Sequence, residues 1–267
     1  MKENQHYKHE QGLQSHNLTI EQSKKTMRIW ETHMTTFCGG RYSAFKLSSE
    51  LIFNLAQPTG SGVINIVDIA CGYGGWSAFL QEIFKTENFK IEFTGMDASA
   101  HRLHIYQDIL GKSAYTIQGN ILNTLPNLDK NKFTVALLGW ASHEITPLQL
   151  EQVYTSVRQL LKPGGLLLIA DFVSGLLPEI NELSVQLIKK QRENLLLDTK
   201  SRQQEEWLKD INKDNIHNHS KHHHDEHSQH RQDYQVNEHF RFLKNAGFSV
   251  TEEVWRYMNS SMILSVK

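Results

Sequence analysis

In VDIACGYGGWS, residues 67–77, an apolar run opens into Gly72, Gly74 and Gly75, and an aspartate, Asp68, stands inside the run. A chain that passes from extended apolar residues into glycines and then a helix gathers backbone amides and a helix N-terminus at one point. Glycine leaves no side chain in the way of a ligand there. Such a turn suits a nucleotide, although ordinary αβ turns also use glycine. The signal sharpens at Asp97, which ends the next β-type run, IEFTGMDA, where a carboxylate can accept both hydroxyls of a ribose. Dinucleotide enzymes share those two features; Asp68 is unusual for them and suits an ammonium group or the orientation of the turn. His143 and Asp171 each follow a later apolar run, where ligands gather in open α/β sheets. The imidazole suits proton abstraction or orientation of an acceptor, and the carboxylate suits a pocket wall. The structural alternative for His143 is that it and Glu144 precede or cap the next helix.

The elements that must position these groups are legible as alternating patterns. VINIVDI (63–69), IEFTGMDA, AYTIQGNI, FTVALLGW (133–140) and LLLIADF read as strands, with helices over 76–84, 100–110 and 146–161 between them. Lys162, Pro163, Gly164 and Gly165 form a turn. The alternation predicts an α/β fold: a Rossmann-like, doubly wound, mostly parallel seven-stranded sheet. SVTEEVWRY and SSMILSVK supply its antiparallel C-terminal hairpin, after a helix, VNEHFRFLKNAGF, with Gly247 at C′.

Residues 1–17 read as a disordered polar tail, and 18–62 as an N-terminal helical lid with helices over 19–36, capped by Thr19 and Gln22, and over 43–56. Residues 63–267 form the main domain, with a helical insertion at 176–210 and a flexible histidine-rich loop at 211–233. In the lid, Trp30, His33, Met34, Arg41 and Tyr42 mix aromatic, basic and apolar surface, which suits a small organic acceptor. Arg41 suits a carboxylate. A packed helix and connecting loop is the alternative reading. Tyr234, where the histidine run meets the last helix, and Gln186, Arg192 and Trp207 of the insertion are further candidates for the substrate side.

VDIACGYGGWS resembles the first motif of the class I S-adenosylmethionine-dependent methyltransferases of small-molecule type. FTGMDAS is similar to their second motif, QGNIL to the adenine-contacting segment, LLGWASHEI to the segment after the fourth strand, and LKPGGLLLIADF to the fifth-strand signature. The resemblance implies S-adenosyl-L-methionine as cofactor, with Asp68, Gly72 and Gly74 around its methionine portion and Ala70 and Trp76 beside them. It further implies Asp97 with Ala98 at the ribose, Asn120 and Ile121 at the adenine, and Gly139 and Trp140 at the sulfonium. Ala70 replaces the usual first glycine, which a negative φ would tolerate, and Asn120 replaces the usual aspartate.

A net charge of -1 removes the basic footprint of a general nucleic-acid binder, so a small-molecule acceptor is expected ahead of RNA or protein. No membrane span or leader is visible, so a cytoplasmic protein is the default; the apolar terminal segments offer surface for a homodimer. Two cysteines give no zinc spacing. Seven histidines fall between His217 and His230, irregularly spaced, which predicts adventitious divalent-metal binding rather than a closed site. A non-catalytic, metal-sensing relative of the fold is the reading from another class.

Overall fold

The computed structural model describes residues 18–56, 62–87, 89–175, 177–196, 232 and 234–267. Its centre is a seven-stranded sheet built from β1 (Val63–Ile69), β2 (Lys90–Asp97), β3 (Ala114–Gln118), β4 (Phe133–Gly139), β5 (Leu161–Phe172), β6 (Val250–Tyr257) and β7 (Ser260–Val266). The order is β3-β2-β1-β4-β5-β7-β6, with β7 antiparallel to both β5 and β6 and the remaining pairs parallel. Strand order therefore reverses between β1 and β4, and a crevice opens at their carboxyl ends.

Strand alternation feeds two cores. Ile64 and Ile66 face α2 (Arg41–Leu55), α3 (Gly75–Thr86) and α4 (Ala100–Leu110), packing with Phe45, Leu80 and Tyr106. Val67 and Ile69 face the opposite layer, with Tyr154 of α6 (Pro147–Leu160) and Leu243 of the last helix. A strand buried on both faces has to be apolar throughout, which is why β4 reads as an almost unbroken hydrophobic run.

The N-terminal segment begins with α1 (Ile20–Phe37), whose N-terminus carries the capping box: Gln22 N–H donates to Thr19 Oγ1 at 3.2 Å and Thr19 N–H to Gln22 Oε1 at 2.7 Å. The glycine pair after it packs on the hairpin, since a Cβ on Gly39 would lie 2.6 Å from the Tyr257 ring and one on Gly40 2.6 Å from Trp255. Two expected boundaries shift. The third strand stops at Gln118 because Asn120 caps a short helix, α5 (Ile121–Thr124). The Pro163–Gly165 turn is absorbed as an irregularity of β5, where the register against β4 shifts and Gly164 takes φ +72°. The insertion contributes α7 (Pro178–Leu196), and α8 (Val236–Asn245) leads into the hairpin. The polar tail, the histidine run and Trp207 lie outside the described residues.

Candidate active site

The glycine turn is shaped by four positive-φ positions or neighbours with distinct jobs. Ala70 has φ +54°, so the condition under which its methyl is tolerated without strain, a negative φ, is not met. Its Cβ sits in the left-handed region at a cost of about 1–2 kcal/mol, held by the Cys71 N–H bond to the Met96 carbonyl at 2.9 Å. Gly72, at φ +55°, would place a Cβ in open space with nothing within 4 Å, so the turn presents bare backbone there. Gly74 caps α3 at φ +82°, and its missing Cβ makes room for the Tyr106 ring, 2.6 Å from where the atom would be. At Gly75 the same atom would fall 1.9 Å from Oε1 of Glu31, which reaches over from the lid.

Asp97, buried at the tip of β2, bridges to this turn. Its Oδ2 accepts the Gly72 N–H at 3.0 Å and its Oδ1 the Ser99 N–H at 2.9 Å, with Arg102 Nη1 3.9 Å away. The adjoining Ala98 carbonyl accepts from Gln118 Nε2 at 3.2 Å. Asp68 lies under the turn, where Ser77 Oγ donates to its Oδ2 at 2.6 Å and Tyr106 donates to Ser77 at 3.0 Å. Burial raises its carboxyl to about 7, against the lowering effects of Ser77 and Arg41, with Asp97 and Glu31 adding repulsion. Asn120 is exposed and its Oδ1 accepts the Leu122 N–H at 2.9 Å, so its oxygen already caps α5, while Ile121 is half-buried.

At the end of β4, Gly139 leaves room for the Trp76 ring, 2.9 Å from the position its Cβ would take. Trp76 is a packing residue: it is buried, stacks on Phe45 at 5.4 Å, and donates its indole N–H to Ser48 Oγ at 2.8 Å. Trp140 follows with φ +50° and a buried indole.

His143 and Asp171, separate candidates in the sequence, form one unit. His143 Nδ1 lies 2.6 Å from Asp171 Oδ1, and the Phe172 N–H donates to the same oxygen at 2.7 Å. Oδ2 accepts from Ser142 Oγ and from the His143 N–H at 3.2 Å. Although burial opposes ionisation, the imidazole and these donors hold the Asp171 carboxyl at about 2. An ionised carboxylate only accepts, so Nδ1 carries a hydrogen, and Nε2 on the far side of the ring lies 3.9 Å from Glu144 Oε1. Ser142 is fully buried, a member of this unit that the sequence does not reveal because a small polar residue beside a turn has many uses.

The strand exit is braced by residues just before α8. Gln232 N–H donates to the His143 carbonyl at 2.8 Å, and Ser174 N–H to the Tyr234 carbonyl at 2.8 Å. Tyr234 itself is buried, with its hydroxyl on the Ile145 carbonyl at 2.6 Å and its ring against His239 and Phe242. The expectation that this hydroxyl reaches the substrate is thus corrected: its hydrogen holds the loop that carries His143.

In the lid, Arg41 already has a carboxylate, but from its own chain. Nε donates to Glu31 Oε2 at 2.8 Å and Nη2 to Oε1 at 3.0 Å, and the guanidinium lies 4.3 Å from the centre of the Trp140 ring. Glu31 escapes sequence reading, since on a polar helix it resembles any solvated acid; only its burial marks it. Trp30 packs edge-on against Tyr73 of the glycine turn at 5.4 Å and lies 5.9 Å from His33, which also contacts Phe37. Tyr42 is 51% exposed and rests on Phe45 and Phe79, apart from this group. Gln186 is exposed on α7, and the Arg192 side chain lies outside the described residues. Among the described residues no helix is long and apolar enough to cross a membrane, and no cluster of three or more His, Cys, Asp or Glu could hold a metal.

This is the fold of the class I S-adenosylmethionine-dependent methyltransferases, and residues 66–165 match the methyltransferase domain family. Over 118 residues the chain is 30% identical to an uncharacterised methyltransferase of Synechocystis, covering 44% of this chain and 50% of that one, so it spans half the length of this curated relative. A putative O-methyltransferase from Nostoc punctiforme superposes with a TM-score of 0.57 at 14% identity, over 91% of this chain and 60% of that one. A methyltransferase dependent on S-adenosylmethionine from Archaeoglobus fulgidus gives 0.54 at 12% identity, over 89% and 99%. The citrinin polyketide synthase methylation domain gives 0.55 at 15% identity, over 83% and 51%.

Proposed function

We propose that the chain transfers the methyl group of S-adenosyl-L-methionine to a small-molecule acceptor in the crevice at the carboxyl ends of β1, β2 and β4. The observation that carries this reading is Asp97, fastened to the Gly72 amide beside backbone with nothing above it. Those residues fit the cofactor: each Asp97 oxygen that accepts one amide keeps a lone pair for a ribose hydroxyl, and Gly72 leaves space for approach. Asp68, under the same turn, would balance an ammonium group; Asn120 and Ile121 would edge the adenine; and Gly139 and Trp140 would border the sulfonium. The near-neutral charge of the chain supports a small acceptor over a nucleic acid.

When bound, S-adenosyl-L-methionine supplies a methyl group already activated on sulfur. The residues therefore contribute chiefly alignment and shielding from water, an effect worth up to about 7–11 kcal/mol. Asp171 orients the His143 ring through Nδ1, and Nε2 of the neutral imidazole would take the proton an acceptor must lose. General-base help of this kind adds a factor of roughly 10² to 10⁴. By these magnitudes the positioning residues outweigh the base.

Calorimetry with S-adenosylhomocysteine tests the cofactor site: the chain binds it, and Asp97→Ala weakens binding by at least about tenfold, the loss of a charge-assisted hydrogen bond. Transfer of tritium from methyl-labelled S-adenosylmethionine into the small-molecule fraction of a cell extract tests the reaction. His143→Ala lowers that transfer by roughly 10² to 10⁴ with S-adenosylhomocysteine affinity unchanged. Absence of any binding heat overturns the reading.

A further inference from the structure

The side-on pair between Arg41 and Glu31 uses Nε and Nη2, which leaves Nη1 with no partner although the residue is only 8% exposed. The indole of Trp140, on which the guanidinium stacks, has its own buried Nε1 without a partner. Two buried donors on groups in contact, both unsatisfied, are rare in a finished interior, because each forgoes its bond to water. They occur where α1, α2 and the end of β4 meet, with the Glu31 carboxylate pressed against Gly75 in the first turn of α3. The donors that remain are of the kind that take an oxyanion, and a guanidinium edge stacked on an aromatic ring is pre-set in orientation for one.

We infer that Arg41 Nη1 and Trp140 Nε1 form a binding site for a ligand carboxylate, with Glu31 holding the guanidinium in place while that site is empty. The inference deepens the proposed function and rests on it for the source of the carboxylate: the amino-acid end of the cofactor, or an acid group on the acceptor. Charge shapes what enters. Glu31 lies on the guanidinium and opposes a lone anion, while a ligand carrying an ammonium or sulfonium along with its carboxylate is opposed less. Removing the Glu31 charge releases both edges of the fork to the ligand.

The experiment compares wild type, Glu31→Gln and the double variant Glu31→Gln/Arg41→Gln, which exchanges a buried pair for neutral groups and so leaves no unpaired charge to unfold the chain. Thermal melts confirm that each is folded. The probes are S-adenosylhomocysteine, 5′-methylthioadenosine, which lacks the amino-acid portion, and benzoate titrated with and without S-adenosylhomocysteine. Glu31→Gln is expected to bind a carboxylate probe at least as tightly as wild type, and the double variant roughly ten- to hundredfold more weakly than Glu31→Gln. A loss for S-adenosylhomocysteine with 5′-methylthioadenosine unchanged assigns the site to the cofactor; a loss for benzoate alone assigns it to the acceptor. Equal binding of both carboxylate probes by the two variants overturns the inference. Failure of S-adenosylhomocysteine to bind wild type overturns the proposed function instead, and benzoate titrated without it into Glu31→Gln and the double variant, where the opposing Glu31 charge is gone, still decides whether Arg41 takes a carboxylate.

Discussion

Asp68 and Asp171 are both buried carboxylates that burial alone would raise, yet they end on opposite sides of the ordinary value. At Asp171 the imidazole and the surrounding donors overcome burial and hold it near 2, below its ordinary 3.8; at Asp68 burial prevails over the lowering by Ser77 and Arg41, with Asp97 and Glu31 adding a little, and it sits near 7. A depressed carboxyl binds its proton less tightly when folded, so the stability from Asp171 is full above pH 3.8 and lost as pH falls toward about 2. A raised carboxyl has the opposite sign: Asp68 favours the fold while protonated, and that contribution declines as pH rises from 3.8 to about 7. Thermal melts should therefore show Asp68→Asn losing part of the wild-type decline in stability over that interval. Because an ammonium group prefers the ionised form, S-adenosylhomocysteine should bind more tightly as pH rises toward about 7, by up to about tenfold per unit, and release a proton. Calorimetry in buffers of different ionisation enthalpy reads that proton, and Asp68→Asn should abolish both the slope and the release. For the second carboxylate, Asp171→Asn should lower methyl transfer by at least about tenfold at unchanged S-adenosylhomocysteine affinity, since an amide can present its N–H to Nδ1 and favour the wrong imidazole tautomer.

Each element positions a site residue by a contact specific to its surface. Helix α3 depends on Gly74, where a side chain meets both a φ of +82° and the Tyr106 ring, so Gly74→Ala should destabilise the chain by about 1–3 kcal/mol in chemical denaturation. Helices α1 and α2 are joined by the buried pair of Glu31 and Arg41, and removing one partner strands the other. Glu31→Ala should therefore cost about 3–5 kcal/mol, whereas the neutral double replacement costs much less. The strands and most helices were legible because their cues are local: the β-branched run of β1, the Thr19 capping box, and Asp97 directly after an apolar strand. The dyad, the lid pair and the Tyr234 brace were not, because hydrophobic periodicity says that a face is buried but not which polar group meets which across a long separation. The backbone at Ala70 was not legible for another reason: a residue name does not carry the sign of φ, and the tight turn imposes +54° on a residue that prefers the opposite.

At the scale of the whole molecule, the reversal of strand order between β1 and β4 gathers groups that are far apart in the chain. The glycine turn and Asp97 lie on one side of that crevice, and His143 with Asp171 at the ends of β4 and β5 on the other. Helices α1 and α2 meet both, through Trp30 on Tyr73 and Arg41 on Trp140. Methyl transfer needs a donor pocket and an acceptor pocket facing each other, and the proposed function sets the donor against Gly72 and Asp97 and the acceptor toward His143. The central claim is that the donor lies against Gly72 with its ribose on Asp97. A crystal structure of the chain with S-adenosylhomocysteine tests it directly: the account predicts density for the nucleoside over Gly72, with both ribose hydroxyls within hydrogen-bonding distance of the Asp97 carboxylate. Density elsewhere, or a crevice that stays empty at saturating ligand with Asp97 bonded only to the protein, would contradict it.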